Sequence, residues 1–229
     1  MKLYNPFRHL SKFEWVLWIV SLFVVTVSFL IGGSGGILAL CTSLVGVTAL
    51  IFVAKGDVTG QILTVTFSLL YAIVSFFQAY YGEMITYLCM SAPAAVFSIV
   101  SWLKNPYGKD HFEVRMVHLS KGKMCGVFLL SLPITLAFYW ILRFLGTAQL
   151  PVSTLSVTTS FLASMLLFLR SPYYALAYTA NDVVLIVLWI VASKKEPSAL
   201  SMVACFLMFL INDLYGFLNW KRLRKRQDT

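Results

Sequence analysis

Three acids stand where the chain is otherwise built for oil. Asp182 follows Asn181 inside "LAYTANDVVLIVLWI", Asp213 follows Asn212 inside "FLINDLYGFLNWKR", and Glu83 follows Gly82 at the start of "GEMITYLCM". A carboxylate near the centre of an apolar membrane helix costs roughly 2.5–3.5 kcal/mol even on lenient scales, unless it is paired, hydrated or protonated. The residues around these acids keep helical spacing. Tyr174, Tyr178 and Asp182 are one turn apart in series, and Trp189 follows on about the same side. Thr64, Ser68, Tyr71, Ser75 and Gln78 fall on one face of the third apolar run, Glu83 and Tyr87 lie one turn apart, and Asn212, Tyr215 and Asn219 share a face beside Asp213. Such stripes face a bundle interior or a watery cavity rather than acyl chains. Acids and amides hydrogen-bond sugar hydroxyls, and phenol rings stack on heterocycles. Together they suit a small, water-soluble ring compound that carries hydroxyls. Blander roles compete at several positions. Thr64, Ser68 and Ser75 read first as hydroxyls that bond to their own backbone or to a neighbouring helix. Trp189 reads as an aromatic-belt anchor near the outer interface, and Glu83 as either a wetted loop-edge acid or a site residue.

The elements that must position these groups follow from the composition. With 59% hydrophobic and 12% charged residues and a mean hydropathy of +0.83, the chain belongs with membrane proteins. Apolar windows long enough for a bilayer core fall at about 14–31, 36–53, 62–80, 84–103, 124–145, 155–169, 174–192 and 199–220, the sixth being the shortest. The expectation is an all-α protein with eight transmembrane helices. The basic residues ahead of the first run resemble a signal peptide, but no small-residue cleavage site precedes a polar domain, so the run reads as an anchor that stays.

The net charge of +9 is placed for topology. If the N-terminus is cytoplasmic, every Lys and Arg except Arg143, Lys194 and Lys195 falls in an inner segment, which puts both termini in the cytoplasm by the positive-inside rule. Basic clusters at membrane edges, with some pull toward anionic lipid, also argue against a nucleic-acid partner. Cys41, Cys89, Cys125 and Cys205 form no CxxC pair and share no metal spacing with His9, His111 or His118, so reduced cysteines and no metal or cofactor are expected.

Two stretches repeat one plan. Each has an apolar helix, a basic residue at its end (Lys55, Arg170), a second helix, a short break, and a third helix closing on "SWLK" or "NWKR". The intervening helix, near 124–145, returns the chain to the starting side, so the repeat is parallel, with its axis along the membrane normal. The organisation expected is 1–35 as an N-terminal start and extra transmembrane helix, 36–103 as the first three-helix repeat, 104–145 as a cytoplasmic loop and linking helix, 146–222 as the second repeat, and 223–229 as a basic tail.

The stretches "GVTALIFVAKGDVTGQILTVTFSLLYAIVSFFQAYYGEMITYLCM", "AYTANDVVLIVLWI" and "FLINDLYGFLNWKR", within about residues 36–222, resemble the Pnu vitamin and nucleoside transporters, the PnuC-like nicotinamide riboside carriers. That resemblance implies a SWEET-like 3+1+3 fold, a bacterial inner (plasma) membrane location, and facilitated uptake of a nucleoside-like vitamin with trapping by an intracellular kinase. It also implies homotrimeric assembly. Carried over by position, the pocket draws on Tyr71, Gln78 and Glu83 from the first unit and on Asp182 and Tyr215 from the second. Phe67 and Tyr87 stand where nicotinamide riboside carriers tend to have Asn and Gln. Tyr174 and Tyr178 stand where they tend to have Trp, and Asp182 (or, after a one-residue slip, Asn181) aligns with their Asn. These departures keep deoxynucleosides and thiamine open as substrates, and the buried acids keep proton coupling open. An intramembrane enzyme fits poorly, since no HExxH, no GxSxG and no histidine falls in any span.

Overall fold

The computed structural model describes residues 5–32, 36–78, 80–108, 113–147, 149–195 and 199–229. Among them are eight helices long and apolar enough to cross a membrane: α1 (Lys12–Gly32), α2 (Gly36–Ala54), α3 (Val58–Phe77), α4 (Tyr81–Leu103), α5 (Lys121–Phe144), α6 (Leu150–Phe168), α7 (Tyr174–Ser193) and α8 (Leu200–Gln227). The sixth run is longer than its hydropathy suggests, because the hydroxyl-rich "LPVSTLSVTTS" continues the helix toward its start.

Helix starts follow side-chain capping. Ser11 and Glu14 form a reciprocal capping box at α1: the Glu14 carboxylate accepts from Ser11 N at 2.6 Å, and the Ser11 hydroxyl accepts from Glu14 N at 3.3 Å. Asp57 caps α3 by accepting from Thr59 N. α4 carries a π-turn over Tyr87–Ser91, just ahead of Pro93. A π-turn rotates the residues on either side of it relative to one another, and such turns gather at functional sites.

α2 packs on α3 and α8, while α6 packs on α7 and α4; α5 lies mainly against α6, and α1 flanks α2 and α8. α5 leaves Phe128, Leu129, Leu132, Leu136 and Phe144 exposed, as a lipid-facing helix should. α2 and α6 end alike. Gly56 and Arg170 both take the left-handed conformation, φ 70° and 59°, in a turn where the next residue's N–H returns to Phe52 O or Leu166 O. Arg170 thus matches Gly56, one position beyond the Lys55 that the sequence plan pairs it with. A two-stranded hairpin, β1 (Pro106–Tyr107) with β2 (Glu113–Val114), and the segment after it lie over both turns. Val114 N donates to Gly56 O, and Val117 N donates to Arg170 O, each at 3.0 Å.

The third helices also end alike. Ser101 Oγ donates to Phe168 O at 3.4 Å and Asn219 Nδ2 to Ala54 O at 2.8 Å, each from the residue before a buried tryptophan. Those two tryptophans, Trp102 and Trp220, meet with ring centroids 5.6 Å apart.

Candidate functional site

α2, α3, α4, α6, α7 and α8 enclose a small interior cavity of about 50 Å³. Phe67, Tyr87, Tyr174, Tyr178, Asn181, Asp182 and Asp213 all line it, so seven of the expected site residues converge on one place. Asp182 and Asp213 are 2% and 3% exposed, and their carboxyl groups lie beside each other on the cavity wall. Two acids so close, with so little water around them, repel each other when both are ionised. The second oxygen of Asp182 has no partner among the described residues, and neither does the fully buried Ser68 hydroxyl on the facing wall.

The aromatic wall is continuous. Tyr87 stands 4.4 Å from Tyr71 and 5.8 Å from Phe67, ring centroid to ring centroid, while Phe67 stacks on Tyr71 at 5.5 Å. Tyr71 itself sits behind that wall, where its hydroxyl accepts from Trp189 Nε1 at 3.1 Å. Trp189 is 1% exposed, so it is an interior residue and not the interfacial anchor expected of it. A buried indole N–H requires an acceptor, and Tyr71 supplies it. On the other side, the Tyr178 hydroxyl pairs with Ser164 at 3.2 Å, and Tyr174 packs edge-on against Trp220.

Asn181 has a second task. Its amide oxygen accepts from Ser156, Thr159 and Ser160 at 3.3, 2.8 and 3.0 Å, which ties α7 to α6. Those hydroxyls, with Ser153 and Ser164, form a stripe along α6 whose spacing of three and four was readable in the sequence. Thr64 also lines the cavity and bonds back to Gly60 O, as a membrane-helix threonine commonly does. Glu83 is 1% exposed, so it is not a wetted loop acid. Neither of its oxygens has a hydrogen-bond partner among the described residues, and the Ser156 hydroxyl lies beside it.

Five expected site residues do not line the cavity: Tyr71 and Glu83, already described, and three that lie farther off. Gln78 caps the end of α3 and is exposed. Asn212 turns its amide toward Ser21 on α1, at 3.0 Å. Tyr215 donates to Glu14 at 2.6 Å, and Glu14 pairs with Lys55 at 3.3 Å, which joins α8, α1 and the end of α2. Glu14, 1% exposed, is the acid that sequence reasoning passed over; its place in the first turn beside Lys12 made it look like an ordinary helix-start residue.

Residues 36–222 match the sequence signature of the nicotinamide mononucleotide transporter family. The chain belongs to that family. This transporter is 28% identical, over 82% of its length and 73% of the relative's, to the nicotinamide riboside transporter PnuC of Neisseria mucosa. It is 24% identical to the protein of the same name from Haemophilus influenzae, over 92% and 91% of the two chains. A crystal structure of the vitamin B3 transporter PnuC superposes with a TM-score of 0.84 at 27% identity, covering 95% of this chain and 94% of that one. The family and its structural neighbours are transporters and not enzymes, so this chain is a multi-pass membrane protein with a small-molecule substrate.

Proposed function

We propose that this transporter takes up nicotinamide riboside by facilitated diffusion across the bacterial inner membrane, with both termini cytoplasmic and the product trapped by intracellular phosphorylation. The observation that carries the proposal is the cavity between the helix triplets α2–α4 and α6–α8, walled by tyrosines and floored by two acids, in a chain whose relatives bear that substrate's name. At about 50 Å³ it is far below the roughly 300 Å³ of an ordinary ligand pocket. Transport then requires the triplets to part alternately toward each side of the membrane.

A parallel two-fold relation between the triplets supports this motion. Residues that correspond across a two-fold axis touch each other only on that axis. Trp102 and Trp220, which close the third helices of the two triplets, are in ring contact. The axis would pass through that contact. The basic residues beside the chain termini favour the cytoplasmic assignment of that end.

Proteoliposomes loaded with unlabelled nicotinamide riboside should accumulate labelled nicotinamide riboside by saturable counterflow with no ion gradient. Flux that disappears when a proton gradient is collapsed contradicts facilitated diffusion. It would favour the second reading, proton coupling, which the two buried acids Asp182 and Asp213 on the cavity wall keep in play.

A further inference from the structure

At the end of the bundle that carries the chain termini, the two triplets meet unequally. On the α2–α8 seam the bonds are complete: Asn219 Nδ2 donates to Ala54 O and Trp220 Nε1 to Val53 O, both at 2.8 Å. Gly216 lets these helices close, since a Cβ there would stand 3.6 Å from the Ala54 Cβ. On the α4–α6 seam the matching groups are poorly served. Ser101 Oγ reaches Phe168 O at 3.4 Å. The indole N–H of Trp102 and the hydroxyl of Ser98, one turn apart and each 1% exposed, have no partner among the described residues. A buried polar group left unbonded carries a cost that water would relieve. Beside them a groove of about 270 Å³ runs between the helices, from Cys89 and Phe97 on α4 to Phe161 and Phe168 on α6. The third helices differ as well. α8 runs unbroken over Leu200–Gln227, whereas α4 is interrupted by the π-turn at Tyr87–Ser91, with Pro93 just beyond it. Such turns and prolines are where helices bend. Tyr87 and Ser91 also line the cavity, so the bend sits at the level of the candidate site.

We infer that the terminus-bearing end opens by one seam only: the part of α4 beyond the π-turn, Ala92–Leu103, swings away from α6, while the α2–α8 seam stays closed and serves as the hinge. The inference rests on the transport reading above, and it departs from a symmetric rocking in which both seams part together. Swinging α4 outward gives up the long Ser101 bond and brings Ser98 and Trp102 to the water of the opening. Parting α2 from α8 instead would break two short bonds and strand the Trp220 N–H. The substrate path at this end therefore leads from the Tyr87 wall past Ser98 and Trp102, between α4 and α6.

The test is a pair of cross-links at matching places, in the full chain with its four cysteines replaced by alanine. Ser101→Cys with Phe168→Cys closes the α4–α6 seam on oxidation, and Ala54→Cys with Asn219→Cys closes the α2–α8 seam. In proteoliposomes given labelled nicotinamide riboside, oxidising the first pair should lower uptake about tenfold or more, reversibly, and oxidising the second should leave it within about twofold. Loss of uptake through the second cross-link overturns the inference, as does unchanged uptake with the first one formed. Where a cross-link does not form, a reduced variant is inactive, or the parent carries no nicotinamide riboside, spin-label distances in nanodiscs decide. Labels on Leu103→Cys with Tyr173→Cys should show a short and a long population, and labels on Thr59→Cys with Lys221→Cys a single one. One population at the first pair, or an equal spread at both, overturns the inference. Two populations at the first pair alone, in a parent that carries no nicotinamide riboside, uphold the seam and refute the substrate.

Discussion

Trp189 donates its indole N–H to the hydroxyl of Tyr71 over 3.1 Å, and both side chains are almost wholly enclosed. The bond joins α3 to α7 behind the aromatic wall of the cavity, and Tyr80 adds an edge-on ring contact to Trp189 at 5.2 Å. Tyr71→Phe leaves a buried N–H with no acceptor, at a cost of about 1–3 kcal/mol. Thermal melts should show a clear loss of stability in that variant. Adding Trp189→Phe should recover part of the loss, because the stranded donor is then gone. A double variant that is less stable than both singles combined would show that the bond has been misassigned.

Asn181 should separate from its neighbour Asp182 in what it does. Its oxygen collects three α6 hydroxyls, so Asn181→Ala should loosen α6 from α7 by about 1–3 kcal/mol, seen as a lower melting temperature. Asp182→Asn should leave the melting temperature closer to that of the parent, since the amide keeps its contact with Asp213. The reverse order of effects would mean that the acid pair holds the helices together.

Gly46 sets how far the rings reach into the cavity. A Cβ there would meet the Phe209 ring and would stand 2.9 Å from Phe67. Both rings line the cavity, so Gly46→Ala should push them inward. Overpacking of this kind costs about 1–3 kcal/mol, enough for a roughly tenfold fall in uptake, measured in proteoliposomes at matched protein content. Unchanged uptake would place the substrate path elsewhere.

Tyr215 lies away from the cavity, in the Glu14–Lys55 cluster. Tyr215→Phe should leave the dissociation constant of the transported ligand within about twofold, while the lost hydrogen bond to a charged acceptor costs about 1.5–3 kcal/mol of stability. A large loss of affinity with stability intact would return Tyr215 to the site that its sequence position suggested.

The eight spans were legible because run length alone decides them, and the acids were legible because a carboxylate at that depth is rarely idle. Helical spacing also grouped Tyr87, Tyr174, Tyr178 and Asp182 on the faces that line the cavity, while Phe67 came from the family resemblance alone. Spacing could not give depth along the helix or the partner across the gap. Gln78 keeps the spacing of the α3 stripe, yet it ends beyond the last helical turn. Tyr215 and Asn212 face inward and meet α1, whose docking against α8 has no signature in either helix alone. Trp189 looked interfacial by position because only the fold supplies Tyr71 as its acceptor. The hydroxyl stripe of α6 lowered the hydropathy of that span, which hid its length and its bonds to Asn181 at once.

The most direct measurement is a density map of the transporter with nicotinamide riboside bound. The ring should lie among Tyr87, Tyr178 and Phe67, with a carboxyl of the Asp182–Asp213 pair against it and the α2–α4 and α6–α8 triplets parted enough to admit it. Ligand density elsewhere, with Asp182 and Asp213 still closed on each other, would contradict the account.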